Sequence, residues 1–144
     1  MHINWRTLVI GAFSASLLFA EPGYKTYRDA MGRTRGTKFS DRQGRAVFRD
    51  EMGRQIGTAR KDGEGRVTYR DAMGRSKGTR QTDRFGRSTY RDEMGRLVMT
   101  ARKDGSGRTV YYDAMGRRVG TAQTDKSGRT VYRDAMGRQV GSKR

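Results

Sequence analysis

The sequence predicts an all-β protein in which tandem 21-residue β-hairpin repeats stack into an elongated repeat sheet or solenoid. Three observations lead to this prediction: an aromatic residue returns every 21 residues, the phrase D-x-x-G-R occurs twice in each unit, and glycine interrupts every candidate helix. The 20 glycines in 144 residues leave no long window that favours a helix. The pattern leaves open whether the hairpins form a flat meander or a two-sided solenoid.

The repeat array covers residues 21–144, and its register contains no insertion or deletion. A period of this size is typical of stacked supersecondary units, each of which buries a face against the next. The copies that begin at 48 and 90 read D-E-M-G and continue into A-R-K-D-G, whereas the others read D-A-M-G. This alternation indicates growth of the array by duplication of a two-unit segment.

The phrase D-x-x-G-R predicts a hairpin turn. An Asp at the first position of a type I turn accepts a hydrogen bond from the backbone two residues later, and a Gly at the fourth position adopts the left-handed conformation of a G1 bulge. One of the two phrases in each unit begins two residues after the aromatic residue. Its predicted turn-forming residues are Asp29, Gly32, Asp50, Gly53, Asp71, Gly74, Asp92, Gly95, Asp113, Gly116, Asp134 and Gly137.

The segments between the turns have the length and composition of strands. Residues 66–70 read R-V-T-Y-R, and alternation along a strand places Val67 and Tyr69 on an apolar face opposite a cationic face. The Met that follows each aromatic residue is predicted to fold over a ring of a neighbouring unit, and this packing is favoured over a ligand cage or a metal site. The residues predicted to pack between repeats are Tyr27, Met31, Phe48, Met52, Tyr69, Met73, Tyr90, Met94, Tyr111, Met115, Tyr132 and Met136.

Residues 1–20 are predicted to be a signal peptide, with an N-terminal anchor as the alternative. Arg6 precedes an apolar stretch at 7–20, which is shorter than the roughly 20 residues that a membrane helix needs. Leu18 is larger than the small residue preferred three positions before a cleavage site, so the anchor stays open. The expected location is secreted, extracellular or at the cell surface, with the periplasm as an alternative.

The chain is strongly basic, with 32 Lys and Arg against 15 Asp and Glu and a formal net charge of +17. Such a balance predicts anionic partners. There is no cysteine, and the one histidine, His2, lies in the predicted signal segment, so the sequence predicts no cofactor, no metal site and no enzymatic activity. The residues predicted to contact a polyanion are Arg45, Arg49, Arg66, Arg70, Arg87, Arg91, Arg108, Arg129 and Arg133.

Residues 62–75, D-G-E-G-R-V-T-Y-R-D-A-M-G-R, resemble the YD repeat of the bacterial Rhs proteins and of teneurins, whose units read G-R-x-x-x-Y-x-Y-D-x-x-G-R. The resemblance extends over about residues 23–144. This chain departs from it in having mostly Tyr-Arg-Asp for Tyr-Asp, and Tyr112-Asp113 is the only true copy of the dipeptide. In that family the repeats form β-hairpins that coil into a large shell around a toxin or other cargo. The resemblance implies hairpins and an extracellular or envelope setting, while six repeats without a toxin module argue against a closed shell.

The predicted function is that of an exported structural or adhesive protein that assembles head to tail with copies of itself into an extracellular fibre. Open strand edges pair with other chains unless they are blocked, and the last copy of the array remains a good repeat. Protective residues are Lys143 and Arg144 at one end and Pro22 at the other, and the alternative is that these terminal charges keep the protein monomeric. Gly23 corresponds to the last Gly of a turn, and Arg144 stops short of completing the sixth copy. The end of one chain therefore nearly completes the period that the start of the next chain resumes.

The alternative function is a cationic repeat module that binds polyanions, such as lipopolysaccharide, acidic polysaccharide or extracellular DNA, at the cell envelope. No small-molecule substrate is expected. A secreted effector is a third reading, which depends only on the YD resemblance. Low hydrophobicity with high net charge is also typical of disordered chains, although the fixed turn chemistry and the unbroken register favour a folded array.

Overall fold

The computed structural model describes residues 23–144, which form twelve antiparallel strands and no helix. Within this range there is accordingly no helix long and apolar enough to cross a membrane. The predicted signal peptide at residues 1–20 lies outside the described residues. The strands are β1 (Gly23–Asp29), β2 (Thr34–Ser40), β3 (Arg45–Asp50), β4 (Gln55–Lys61), β5 (Val67–Asp71), β6 (Ser76–Thr82), β7 (Ser88–Arg91), β8 (Leu97–Lys103), β9 (Thr109–Asp113), β10 (Arg118–Thr124), β11 (Thr130–Asp134) and β12 (Gln139–Lys143).

The twelve strands close into one barrel, so the predicted elongated repeat sheet or solenoid is wrong, although the chain is all-β. Each strand pairs with its neighbours in the sequence, and β1 pairs with β12. This seam pairs Asp29 with Gly141, in the register in which Asp50 pairs with Gly36 between β3 and β2. The sixth hairpin therefore meets the first in the same way as neighbouring hairpins meet elsewhere in the barrel.

Closure joins the two ends of the array within one molecule. The backbone N–H of Thr26 donates to the carbonyl of Arg144 at 2.8 Å, and the N–H of Arg144 donates to the carbonyl of Thr26 at 3.1 Å. The sequence predicts that the end of one chain continues the repeat at the start of the next chain. In the structure, the two ends of a single chain pair with each other instead. Every strand of residues 23–144 is paired on both sides.

A β-bulge in each hairpin supplies the curvature that closes the barrel. Between β1 and β2, Tyr27 pairs with Gly36 but Arg28 pairs with Thr34, so Arg35 is the extra residue. The same shift recurs in the other five hairpins. A bulge bends its strand and increases the local twist. The six bulged hairpins close into a barrel in which β12 pairs with β1, in place of the extended array that the sequence predicts.

The core lies inside the barrel, because alternate residues of each strand point inward. The aromatic residue of each repeat lies on this inner face, together with Met99 and a set of small residues. The aromatic side chains that are buried are Tyr27, Phe48, Tyr90, Tyr111 and Tyr132, and Tyr69 is half-buried.

Gly141 provides a direct test of the seam. A Cβ atom at this position would lie 2.8 Å from the carbonyl oxygen of Arg28 on β1, which is closer than such atoms tolerate. We expect Gly141→Ala to lower the free energy of unfolding by about 1–3 kcal/mol, because β1 and β12 must separate to admit the methyl group. Urea unfolding of both proteins measures this loss.

The matched control is Gly105→Ala, because a Cβ at Gly105 would meet no atom within 4 Å. Its expected effect is within about 0.5 kcal/mol. If Gly141→Ala were as mild as this control, the close contact between Gly141 and the carbonyl of Arg28 would not exist in solution.

Candidate functional site

The barrel has two rims of different composition, since antiparallel strands send successive turns to opposite ends. The methionine rim consists of the six D-x-M-G-R turns at 29–33, 50–54, 71–75, 92–96, 113–117 and 134–138. The terminal rim consists of the turns at 41–45, 62–66, 83–87, 104–108 and 125–129, together with the chain around Gly23 and Arg144.

All eleven turns use the same backbone hydrogen bond, in which the Asp N–H donates to the carbonyl of the Arg four residues later at 2.8–3.0 Å. At Asp92 the Oδ1 atom also accepts from the N–H groups of Met94 and Arg96, each at 2.9 Å. The Arg96 side-chain hydrogen bond lowers the pKa of Asp92 against an opposing effect of desolvation, and the two N–H donors lower it further. Gly95 has a φ of +80°, which favours glycine. The structure places all the predicted turn-forming Asp and Gly residues in equivalent turns.

The methionines do not pack between repeats, in contrast to the prediction. Each is the third residue of its turn, where its N–H donates to the Asp carboxylate and its side chain extends into solvent. Their side chains are 72–79% exposed. The packing prediction is therefore wrong for Met31, Met52, Met73, Met94, Met115 and Met136, and the aromatic members of the same set lie on the inner face of the barrel.

The arginines predicted to contact a polyanion divide between the two rims. Four of them stabilise the methionine rim, because an Nη1–H of each donates to the Gly carbonyl of the turn that follows, at 2.9–3.0 Å. These four are Arg49, Arg70, Arg91 and Arg133. The remaining five follow the turns of the terminal rim and are exposed: Arg45, Arg66, Arg87, Arg108 and Arg129.

The two rims differ in how their arginines are neutralised. At the methionine rim, the Arg that ends each turn places its Nε 2.8–2.9 Å from the Oδ2 of the Asp that begins the turn. At the terminal rim, the only such ion pair among the described residues joins Arg108 to Asp104. Arg66 donates to Gln81 instead. The terminal rim therefore presents more cationic groups without a carboxylate partner.

Exposed aromatic rings accompany these cations. Phe85 is 81% exposed in a terminal-rim turn, and the guanidinium of Arg84 lies 4.8 Å from the centre of its ring. Tyr24 and Phe39 lie near the same rim with their ring centres 5.0 Å apart, and Tyr24 is 72% exposed. These rings were not predicted as functional because they lie outside the 21-residue aromatic register. The signal was present in D-R-F-G-R, where Phe85 occupies a turn position that has no core to enter.

Three cations lie inside the barrel at positions paired with the aromatic row. Lys38 pairs with Phe48, Arg80 with Tyr90 and Lys143 with Tyr27 across adjacent strands. Only 2% of Lys38 and 7% of Arg80 is exposed, while Lys143 is half-buried. We call these three residues the interior cluster. The equivalent positions in the other repeats hold Ala59, Ala101 and Ala122.

The cations of the interior cluster act on one another electrostatically. Burial, followed by the charges of Lys143, Arg80 and Lys25, lowers the pKa of Lys38 to about 7. Burial and the charge of Lys25 lower the pKa of Lys143 to about 8. The Nε of Arg80 is buried and makes no hydrogen bond. A buried donor of this kind is uncommon, and it marks the cluster as a candidate binding site.

Sequence reasoning missed the interior cluster because it treated every cation as part of the outer face. The column itself carried a signal: residues 38, 59, 80, 101, 122 and 143 read Lys, Ala, Arg, Ala, Ala, Lys. Alanine in half of a column indicates an inward phase, so the cations in the same column also point inward.

Comparisons with known proteins give no family. No family model matches the chain, and no curated protein matches it. Among solved structures, BamB from Moraxella catarrhalis is similar at 12% identity and a TM-score of 0.34, over 76% of this chain. The match spans about half of BamB, 54% of its chain. Within residues 23–144 there is no group of three or more His, Cys, Asp or Glu residues that would hold a metal ion.

Proposed function

We propose that the protein is a non-catalytic binding module that takes extended polyanions at its terminal rim, outside the cytoplasm. Acidic polysaccharide, lipopolysaccharide and extracellular DNA are the partner classes. The observation that carries the proposal is the unequal neutralisation of the two rims: the turn arginines are ion-paired at the methionine rim, but among the described residues most are unpaired at the terminal rim.

The chemistry of this rim suits a charged polymer. A guanidinium group donates two parallel hydrogen bonds to a phosphate or a carboxylate, and a ring of such groups contacts several charges of one chain. Binding of this kind releases counterions, so its affinity falls steeply with salt. The exposed ring of Phe85, with Arg84 above it, supplies a stacking surface for a base or a sugar ring.

Assembly into a fibre is less well supported. That prediction depends on open strand edges, and the strands of residues 23–144 have none. A fibre of closed barrels would need contacts between rims in place of strand pairing. Electron microscopy of the protein across a concentration series tests whether the barrels assemble. Unbranched fibres at low salt would support self-assembly as the function.

Two variants that lose the same charge test the rim assignment. The terminal-rim variant carries Arg45→Gln, Arg87→Gln and Arg129→Gln. The methionine-rim variant carries Arg35→Gln, Lys77→Gln and Arg118→Gln, which are also exposed. Heparin and single-stranded DNA serve as the polyanions, and the dissociation constant is measured by fluorescence anisotropy at several salt concentrations.

We expect the terminal-rim variant to bind more weakly and to lose about 0.7–0.9 from the slope of log K against log salt for each contact removed. The methionine-rim variant should retain a slope close to that of the parent protein. Equal losses in the two variants would show that net charge alone attracts the polymer, which contradicts a site at the terminal rim.

A further inference from the structure

The structure assigns a second site to the barrel interior: we propose that the interior cluster of Lys38, Arg80 and Lys143 binds a single phosphate group. This site is separate from the outer surface of the terminal rim and takes a small oxyanion in place of a polymer. The proposal does not depend on the polyanion function, because different residues carry it.

Arg80 is buried, with 7% of the residue exposed. The Nε–H of its guanidinium is buried and meets no acceptor among the described residues. None of the ion pairs among residues 23–144 includes Arg80. A buried charged donor without an acceptor is destabilising, so its retention indicates an acceptor that binds from outside the chain.

The barrel interior holds several positive charges that act on one another. Lys38 interacts with Arg80, Lys143 and Lys25, and each of these interactions disfavours its charged form. Buried cations of one sign repel one another and lose their hydration. An anion placed among them would offset both effects.

The donor groups of the interior cluster suit a phosphate. A guanidinium and two ammonium groups present several N–H donors and three positive charges when protonated, which matches a doubly charged phosphate better than a singly charged carboxylate. Tyr111 lies close enough to Arg80 for the guanidinium charge to affect its pKa, so a phenol hydroxyl is also near the site. The equivalent positions of the other repeats hold the short side chains of Ala59, Ala101 and Ala122, which add no further cation to the cluster.

The interior cluster lies near the terminal rim, from which an anion would enter. Lys143 is half-buried and adjoins Arg144, which pairs with Thr26 at this rim. Lys38 is fully buried two residues before the end of β2. The cluster therefore extends from the rim into the interior, and the cations at the rim attract an anion toward it.

Proton uptake is expected to accompany phosphate binding. A phosphate favours the charged form of Lys38 and Lys143 and raises their pKa values from about 7 and about 8. At pH 8 the free protein holds Lys38 largely neutral, so binding draws a proton from solution. The groups that face Lys38 are Lys25, Arg80 and Lys143, with the phenol of Tyr27 on the adjacent strand.

Isothermal titration calorimetry with inorganic phosphate tests the site, with chloride at matched ionic strength as the background. We expect saturable binding with one phosphate per chain, and an apparent enthalpy at pH 8 that changes with the ionisation enthalpy of the buffer because protons are taken up. Arg80→Met should weaken binding by roughly tenfold or more, since it removes a charge-assisted donor.

The matched control is Arg118→Gln, which removes an exposed positive charge at the methionine rim and should change phosphate binding less than twofold. Glycerol 2-phosphate distinguishes the two sources of the group: equal or tighter binding indicates that the phosphate belongs to a larger molecule, and exclusion indicates free phosphate. Absence of saturable binding to both compounds, or equal affinity in the parent and in Arg80→Met, would overturn the proposal.

The two proposals fail separately. Arg80→Met is expected to retain the heparin and DNA affinity of the parent protein, because its side chain is buried. A loss of polymer binding in this variant, without loss of phosphate binding, would also contradict the interior assignment.

Discussion

Replacing Met99 by alanine is expected to lower the free energy of unfolding by about 2–5 kcal/mol, the range for deleting a large buried side chain. Met99 is 2% exposed and packs among the aromatic residues of the core, with Tyr90 as its cross-strand partner. Its position is that of Gly36, Gly57 and Gly78 in the earlier repeats. It therefore supplies volume that the other repeats lack.

The control lies in the same hairpin. Met94 is 72% exposed in the turn between β7 and β8, so Met94→Ala should change stability by no more than about 0.5 kcal/mol. Urea unfolding at pH 7 measures both variants. A loss from Met94→Ala as large as that from Met99→Ala would mean that the methionine rim is packed in solution, as the sequence analysis predicted.

The turns and the inward aromatic row follow from local rules, so they can be predicted from the sequence. A D-x-x-G-R phrase satisfies its hydrogen bonds within five residues, and the turn at Asp92 does so with Met94 and Arg96. Alternation along a strand then fixes the face of Tyr90 once the turn is known. Neither inference depends on distant parts of the chain.

The place of the methionines does not follow from hydrophobicity. Met94 is apolar and recurs every 21 residues, which favours a packed side chain. In the turn, however, its backbone N–H donates to the carboxylate of Asp92, and its side chain extends into solvent. Turn geometry therefore outweighs apolar character at this position. Met94 differs from Tyr90 in its position, because Met94 lies in the turn and Tyr90 lies on β7.

Closure depends on the sum of small bends, which no short segment encodes. The bulge at Arg35 adds one residue to one strand, and its effect on direction is seen only after six hairpins. At the seam Gly141 lies against the carbonyl of Arg28, in the same way as Gly57 lies against the carbonyl of Arg70 between β4 and β5. Because this glycine belongs to the repeat, the seam has no signature of its own in the sequence.

The interior cluster differs from the rest of the core in a way that suggests function. A core selected only for stability would have apolar residues at positions 38 and 80, like Ala59 and Ala101 at the equivalent positions of other repeats. Buried cations that reduce stability are retained in proteins chiefly where they bind or react. The stability of variants at these positions therefore bears on the proposed phosphate site.

Lys38→Met is expected to stabilise the protein at pH 7 by about 1–3 kcal/mol, because it replaces a desolvated cation by an apolar side chain of similar length. Burial and the charges of Lys143, Arg80 and Lys25 hold the pKa of Lys38 at about 7. An unfolded lysine titrates near 10.4. Between these values Lys38 binds more protons in the unfolded chain than in the folded chain, so the contribution of Lys38 makes stability rise with pH from about 7 to about 10.

The advantage of Lys38→Met should accordingly be largest near pH 7 and should shrink as the pH rises toward about 10.4, above which the lysine is neutral in both the folded and the unfolded protein. Urea unfolding at pH 7, 8.5 and 9.5 measures this trend, with Lys103→Met, an exposed lysine on β8, as the control of matched chemistry. The control should leave the slope with pH unchanged. A destabilised Lys38→Met protein with the parent slope would show that Lys38 is charged and well solvated in the folded state, and the cationic interior would then offer no reason for an anion to bind there.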